Sequence, residues 1–305
     1  MQIDERYKHE AEDFDQIATE RYENSQRPDI NGSWENTYYY NNIWRNSVFF
    51  NDEYRPMIDW VVEKLKSNNV ESVIELGCGT GWLTLHLARQ GLDITGCDLS
   101  QGSISIAEKY LSELPESDDL NIKYINQNII DFDNYNGDSI VCFGFLHHLP
   151  QDVLMDRIEF FYKKMRKGQQ LLIVEPRYDY VNFEMSFLIN ALRLALPNHF
   201  PNNKDYKNIY DQSYDIYREL GELDQEQSSH DNESPSGFIV DTVNKYFENV
   251  ELKYSTTFFD KFIGSARLEE DDNKKLSHIL KALDELILKY NNNFARNVMI
   301  SATKT

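Results

Sequence analysis

Residues 73–81 read Val-Ile-Glu-Leu-Gly-Cys-Gly-Thr-Gly, an apolar run that leads directly into a turn with three alternating glycines. Such a run is typical of a buried strand, and the glycines let the backbone turn tightly and lie against a ligand because no Cβ intervenes. Asp98 follows a second short apolar run, about 20 residues after Gly77, a spacing that puts a carboxylate at the tip of the neighbouring strand, within reach of a ribose. These two stretches predict a nucleotide-type cofactor site.

The dinucleotide fingerprint needs a third glycine where the helix begins, and Trp82 stands at that point, so NAD is not expected. The stretch from Glu75 to Gly81, followed by Gly96-Cys-Asp-Leu-Ser100, closely resembles the first two motifs of class I S-adenosylmethionine-dependent methyltransferases. The resemblance implies S-adenosylmethionine as the cofactor and S-adenosylhomocysteine as its product. It also implies a Rossmann-like fold.

In that family the glycine turn wraps the methionine part of the cofactor, and the counterpart of Asp98 holds the ribose. The family's acidic residue at the adenine amine is replaced here by Asn128, whose amide oxygen can still accept one hydrogen bond. The cofactor-binding residues that the resemblance implies are Glu75, Gly77, Cys78, Gly79, Gly81, Asp98, Leu99, Asn128, Ile129, Phe143 and Gly144.

The remaining pattern alternates apolar strands with helices of 3.6-residue spacing. It predicts an α/β fold with a doubly wound, seven-stranded, mostly parallel sheet, an antiparallel last strand and a mainly helical cap. The third strand is expected over 124–130, and a late helix over 268–290 carries six apolar residues expected on one face.

With 305 residues the chain exceeds a bare methyltransferase core, which leaves room for a cap. We expect four parts. Residues 1–53 form an aromatic, helical lid, and 54–176 form the cofactor-binding half of the core. Residues 177–237 form a helical cap insertion at the exit of the fifth strand, where it can cover a substrate, and 238–305 complete the core.

The fourth predicted strand runs into Gly144-Phe-Leu-His-His-Leu-Pro150, and the fifth ends at Glu175. Since the two strands are neighbours in this topology, Glu175 could orient His147 or His148 as a general base. The alternative is that one histidine caps the following helix and the other packs in the interface. These three residues are the candidate catalytic set, and no metal is expected.

Aromatic residues crowd the first segment, and an arginine follows the fifth strand. Tyr38, Tyr39 and Trp44 could stack on a substrate or cage a cation, although an aromatic cluster also seals a cap against a core. Arg177 completes the predicted substrate-binding set.

Lys and Arg total 31 against 51 Asp and Glu, a formal net charge of −20. This field would repel a nucleic acid, since binding one depends on neutralising phosphates. The opening lacks a basic start followed by an apolar stretch, and no long apolar run occurs, so neither secretion nor membrane spanning is expected. Three cysteines without metal spacing fit buried positions in a reducing cytoplasm.

Three functions compete on this evidence. The first is methyl transfer to an oxygen or nitrogen of a small natural-product or sugar-type molecule held under a lid, by a monomer or homodimer. The second is methylation of a peptide or carrier-bound acceptor, which needs an open groove. The third is a non-catalytic S-adenosylmethionine-binding protein, which predicts cofactor binding without an acceptor pocket.

Overall fold

A computed structural model describes most of the chain. The described residues are 3–24, 27–31, 48, 50–180, 182–195, 211–213, 228, 230, 232–257 and 268–305.

Seven strands of the described chain form one sheet in the order β3-β2-β1-β4-β5-β7-β6. The strands are β1 Ser72–Leu76, β2 Asp93–Asp98, β3 Ile122–Asn126, β4 Ser139–Phe143, β5 Gln170–Pro176, β6 Asn249–Ser255 and β7 Asn297–Thr303. The first five pair in parallel, and β7 runs antiparallel to both β5 and β6. The predicted fold class is confirmed.

The α-helices of the described residues connect and flank these strands. They are α1 Ile3–Glu23, α2 Arg55–Ser67, α3 Trp82–Ala88, α4 Gln101–Glu113, α5 Gln151–Lys164, α6 Phe183–Ala195, α7 Ser236–Tyr246 and α8 Glu270–Tyr290. A single π-helical turn, Phe50–Tyr54, leads into α2. No described helix is both long enough and apolar enough to cross a bilayer.

Both faces of the sheet are buried because its strands are apolar at successive positions. In β4, Ile140 and Cys142 point into one core, while Val141 points into the other. Helices α5 and α7 cover the first face, and α2 and α3 cover the second. Because β1 to β5 are parallel, their carboxyl ends lie at one edge of the sheet, and this is the edge at which α/β sheets bind ligands.

Strand β3 ends four residues earlier than predicted. It stops at Asn126, and the segment after it turns because Asn128 Oδ1 accepts from the Ile130 N–H at 3.1 Å. Side-chain bonds of this kind compete with continued strand pairing.

The predicted apolar face of α8 is confirmed for three of its six residues, since Leu280 is buried and Leu276 and Ile287 pack against the same cluster. The other three face solvent. Ile279, Leu283 and Leu286 are 60%, 38% and 49% exposed, whereas Ser277 and Asp284 are buried. The reason is a set of polar partners on the core side: Ser277 donates to Asp52, and Asp284 accepts from the Thr257 N–H at 3.1 Å. Burying these groups without partners would cost more than exposing the leucines.

Candidate functional site

The glycine turn leaves β1 at the carboxyl edge and is fixed to β2, because the Gly77 N–H donates to the Cys97 carbonyl at 2.8 Å. Gly77 has φ +72°, and a Cβ there would lie 2.4 Å from Cγ of Phe145. Gly79 has φ +53° with nothing within 4 Å of its Cβ position. The turn thus needs glycine for its backbone at both positions, and at Gly79 it leaves open space on the ligand side.

Asp98, at the end of β2, faces the same turn. Its Oδ2 accepts from the Gly79 N–H and its Oδ1 from the Ser100 N–H, both at 2.8 Å. Burial raises the pKa of Asp98, and these two N–H groups oppose the rise. Each carboxylate oxygen keeps lone-pair capacity for a further donor such as a ribose hydroxyl.

A cavity of about 190 Å³ opens over the turn and Asp98. It extends from the loop after β3 to the loop after β4. The predicted site residues that line it are Gly77, Cys78, Gly79, Asp98, Leu99, Ile129, Phe143, Gly144 and His148.

Three predicted cofactor residues do not line this cavity. Glu75 is buried under the turn, where it accepts from Thr84 Oγ1 at 2.5 Å. Gly81 starts α3 at φ +79°, and a Cβ there would lie 2.4 Å from the hydroxyl of Tyr124. Asn128 uses its oxygen in the turn after β3. These three residues stabilise the segments around the cavity without lining it.

None of the predicted substrate-binding residues is found on the cavity wall among the described residues. Arg177 is buried, and its Nη1 donates to the carbonyls of Asn292 at 2.7 Å and Ala295 at 3.2 Å. It therefore holds the segment before β7 and does not line the cavity. Tyr38, Tyr39 and Trp44 lie outside the described residues.

Glu175 and His147 meet at the ends of β5 and β4. The Glu175 carboxylate is fully buried, its Oε1 accepts from the Phe145 and Leu146 N–H groups at 3.0 and 2.7 Å, and its Oε2 lies 2.7 Å from His147 Nδ1. A carboxylate on Nδ1 stabilises the N–H tautomer there and leaves Nε2 as the acceptor. The catalytic role of this pair stays a prediction, since His147 is not on the cavity wall.

His148 does lie on the wall, and its carboxylate partner comes from α1. Its Nδ1 lies 3.0 Å from Glu10 Oε1, which also accepts from Ser228 Oγ at 3.1 Å. The His148 carbonyl accepts from Arg6 Nη2 at 2.6 Å. Ser228, which belongs to the predicted cap insertion 177–237, is thus buried in this cluster.

Helix α1 forms the outer wall of the cavity. A helical lid was expected over residues 1–53, but none of the predicted substrate residues in that segment lies on α1. Its lining residues recur at intervals of three and four, which places them on one stripe of the helix. They are Arg6, Tyr7, Glu10, Phe14, Ile17, Ala18, Arg21 and Tyr22. The periodicity of the apolar members of this set was the available signal.

This chemistry fits S-adenosylmethionine. The open space at Gly79 admits a ligand against the backbone, and the Asp98 carboxylate beside it suits a ribose diol. The apolar wall made by Ile129 and Leu149 suits a purine ring.

Comparison with known proteins also points to a methyltransferase. Residues 74–168 match the family model described as a methyltransferase domain. The ubiquinone biosynthesis O-methyltransferase of Erwinia tasmaniensis is 27% identical over 32% of this chain and 43% of that protein. Its namesake from Coxiella burnetii is 36% identical over 26% of this chain and 32% of that protein. Both alignments span less than half of the relative's length.

Among solved structures, this chain is similar to magnesium protoporphyrin IX methyltransferase from Synechocystis PCC 6803. The TM-score is 0.46, with 13% identity over 83% of this chain and 84% of that one. The sheet with its reversed β7, together with the match over residues 74–168, identifies a class I S-adenosylmethionine-dependent methyltransferase domain in this chain. The predicted family is confirmed.

Proposed function

We propose that the chain transfers a methyl group from S-adenosylmethionine to an oxygen or nitrogen nucleophile of a small molecule. The observation that carries the proposal is one cavity at the carboxyl edge of the sheet, shared by the glycine turn, Asp98 and His148. A cofactor site and a proton acceptor thus share one enclosed space, as a transfer reaction requires.

The cofactor would lie with its ribose on Asp98 and its amino-acid part over Gly77 and Gly79. Its sulfonium supplies a methyl group that is already activated, so the protein's contribution is to hold the nucleophile close and aligned. Phe143 and Gly144 line the same cavity at the end of β4 and would contact the cofactor, which is their predicted role.

For a hydroxyl acceptor, His148 is the side chain we place as the general base. Glu10 holds the proton on Nδ1, so that Nε2 is the nitrogen that accepts the acceptor's proton. His147 lies beside it, with ring centroids 4.1 Å apart, and Glu175 orients it in the same way. An amine acceptor with a free lone pair needs no such base.

A small acceptor is favoured because α1 covers the cavity. The helix is anchored at both sides of the opening: Arg6 bonds the turn after β4, and Asp15 Oδ1 accepts from the Gly102 N–H at 2.8 Å. A peptide would need this helix to leave, whereas a small molecule needs only a local opening.

The proposal is tested by a turnover assay on the purified full chain. S-adenosylmethionine is offered with separate phenol, sugar-hydroxyl and primary-amine acceptors, and S-adenosylhomocysteine release is followed. We expect release that depends on one acceptor class and falls at least tenfold in Asp98→Ala. A chain that binds S-adenosylhomocysteine tightly yet releases none with any acceptor would favour the non-catalytic alternative.

A further inference from the structure

The last turn of α1 brings an arginine to the cavity, and none of the described carboxylates neutralises it. Arg21 is exposed, lines the cavity, and forms no ion pair with any acidic side chain in the described part of the chain. The contrast is Arg89, which contacts both Asp29 and Glu116 at 2.7 and 2.6 Å. Those carboxylates raise the pKa of Arg89.

A second arginine follows on the same rim. Arg27 also lines the cavity; its Nη1 donates to the Tyr22 carbonyl at 3.0 Å, and its guanidinium lies 4.3 Å from the Tyr22 ring centroid. These contacts hold the guanidinium in place while leaving several of its five N–H donors for a ligand. The described residues give Arg27 no carboxylate partner either.

Two carboxylates also line this cavity, and their described contacts are with groups other than these two arginines. Asp98 accepts from two backbone N–H groups, and Glu10 accepts from Ser228 beside His148. In a chain with 51 acidic and 31 basic residues, two cations that line a ligand cavity and have no acidic partner among the described residues mark a place suited to a negative charge.

We propose that Arg21, assisted by Arg27, forms an anion subsite that binds a carboxylate or phosphate of the ligand in this cavity. The inference rests on the proposed function, since that function puts two ligands there. The anion has two sources: the α-carboxylate of the cofactor, or an acidic group on the acceptor.

The experiment compares wild type with Arg21→Gln and with Lys109→Gln as the matched control. Lys109 is exposed and lies 4.9 Å from the same Tyr22 ring, but it does not line the cavity, so its replacement removes one charge without touching the subsite. Calorimetry measures S-adenosylhomocysteine, which carries the α-carboxylate, and 5′-methylthioadenosine, which lacks it. A second titration adds inorganic phosphate to the protein saturated with S-adenosylhomocysteine.

If the subsite serves the cofactor, Arg21→Gln lowers the affinity for S-adenosylhomocysteine by about tenfold or more and leaves the affinity for 5′-methylthioadenosine unchanged. If it serves the acceptor, both nucleosides bind as in wild type, and Arg21→Gln abolishes the phosphate binding of the saturated protein. Lys109→Gln behaves as wild type in each case. Arg27→Gln gives a smaller loss of the same kind, since one of its donors is used by Tyr22.

The inference is overturned if Arg21→Gln matches wild type for both nucleosides and for phosphate. A role limited to capping α1 would produce that result together with a lower melting temperature. A wild-type chain that binds neither nucleoside would instead remove the proposed function itself, so the two failures are distinguishable.

Discussion

Replacing Gly77 with alanine tests the glycine turn most sharply, because the structure separates two costs there. The residue has φ +72°, which costs an L-residue about 1–2 kcal/mol. The new Cβ would also lie 2.4 and 2.6 Å from Cγ and Cβ of Phe145, and overpacking of this kind costs about 1–3 kcal/mol. The expected loss of unfolding free energy is about 2–5 kcal/mol.

Gly91→Ala is the matched control for the backbone cost. Gly91 has φ +86°, nothing lies within 4 Å of its Cβ position, and it does not line the cavity. Urea unfolding of the two variants should differ by about 1–3 kcal/mol, the contribution of the Phe145 contact. Only Gly77→Ala should lose affinity for S-adenosylhomocysteine, because Phe145 also lines the cavity. Equal stabilities together with equal affinities would refute this account of the turn.

Three further predictions concern the surroundings of the site. Burial raises the pKa of Glu75 from 4.5 to about 8, so the free energy of unfolding should fall as pH rises from about 5 to 8. Glu75→Gln should reduce that fall by about a few kcal/mol, and the same pH profile in the variant and wild type would contradict this prediction. Asp15→Ala removes the two hydrogen bonds that Asp15 accepts at the start of α4, from the Gly102 N–H and Ser100 Oγ, so α1 amides should exchange faster; unaltered exchange would contradict this anchoring role. With a hydroxyl acceptor, His148→Asn should lower turnover about a hundredfold with cofactor affinity intact. His147→Asn should lower it less, and full turnover in both variants across pH 6 to 9 would exclude a base.

The fold and the inner wall of the site follow from local sequence. A strand that ends in a glycine turn, and a carboxylate at the next strand's tip, are set by spacing within one βαβ unit. The contact of Glu175 with His147 was predictable as well, since neighbouring parallel strands end at one edge.

The outer wall depends on contacts between distant parts of the chain. Arg6 reaches His148 across 142 residues, and Ser228 reaches Glu10 across 218, so no spacing rule connects them. Arg177 illustrates the opposite error: a cation at a strand end suggests a ligand, but carbonyls at Asn292 and Ala295 satisfy it. Local patterns define which groups are available, and tertiary packing decides which of them face the ligand.

Calorimetry of S-adenosylhomocysteine binding to wild type, Asp98→Ala and Asp93→Ala tests directly whether this cavity is the cofactor site. Asp93 begins the same strand at the opposite edge, where it bonds Asn121 and lies far from the cavity. We predict that wild type and Asp93→Ala bind alike, and that Asp98→Ala binds at least tenfold more weakly because two ribose hydrogen bonds of about 1 kcal/mol each are lost. Unchanged affinity in Asp98→Ala, or no binding by wild type, would contradict the assignment of this cavity as the cofactor site.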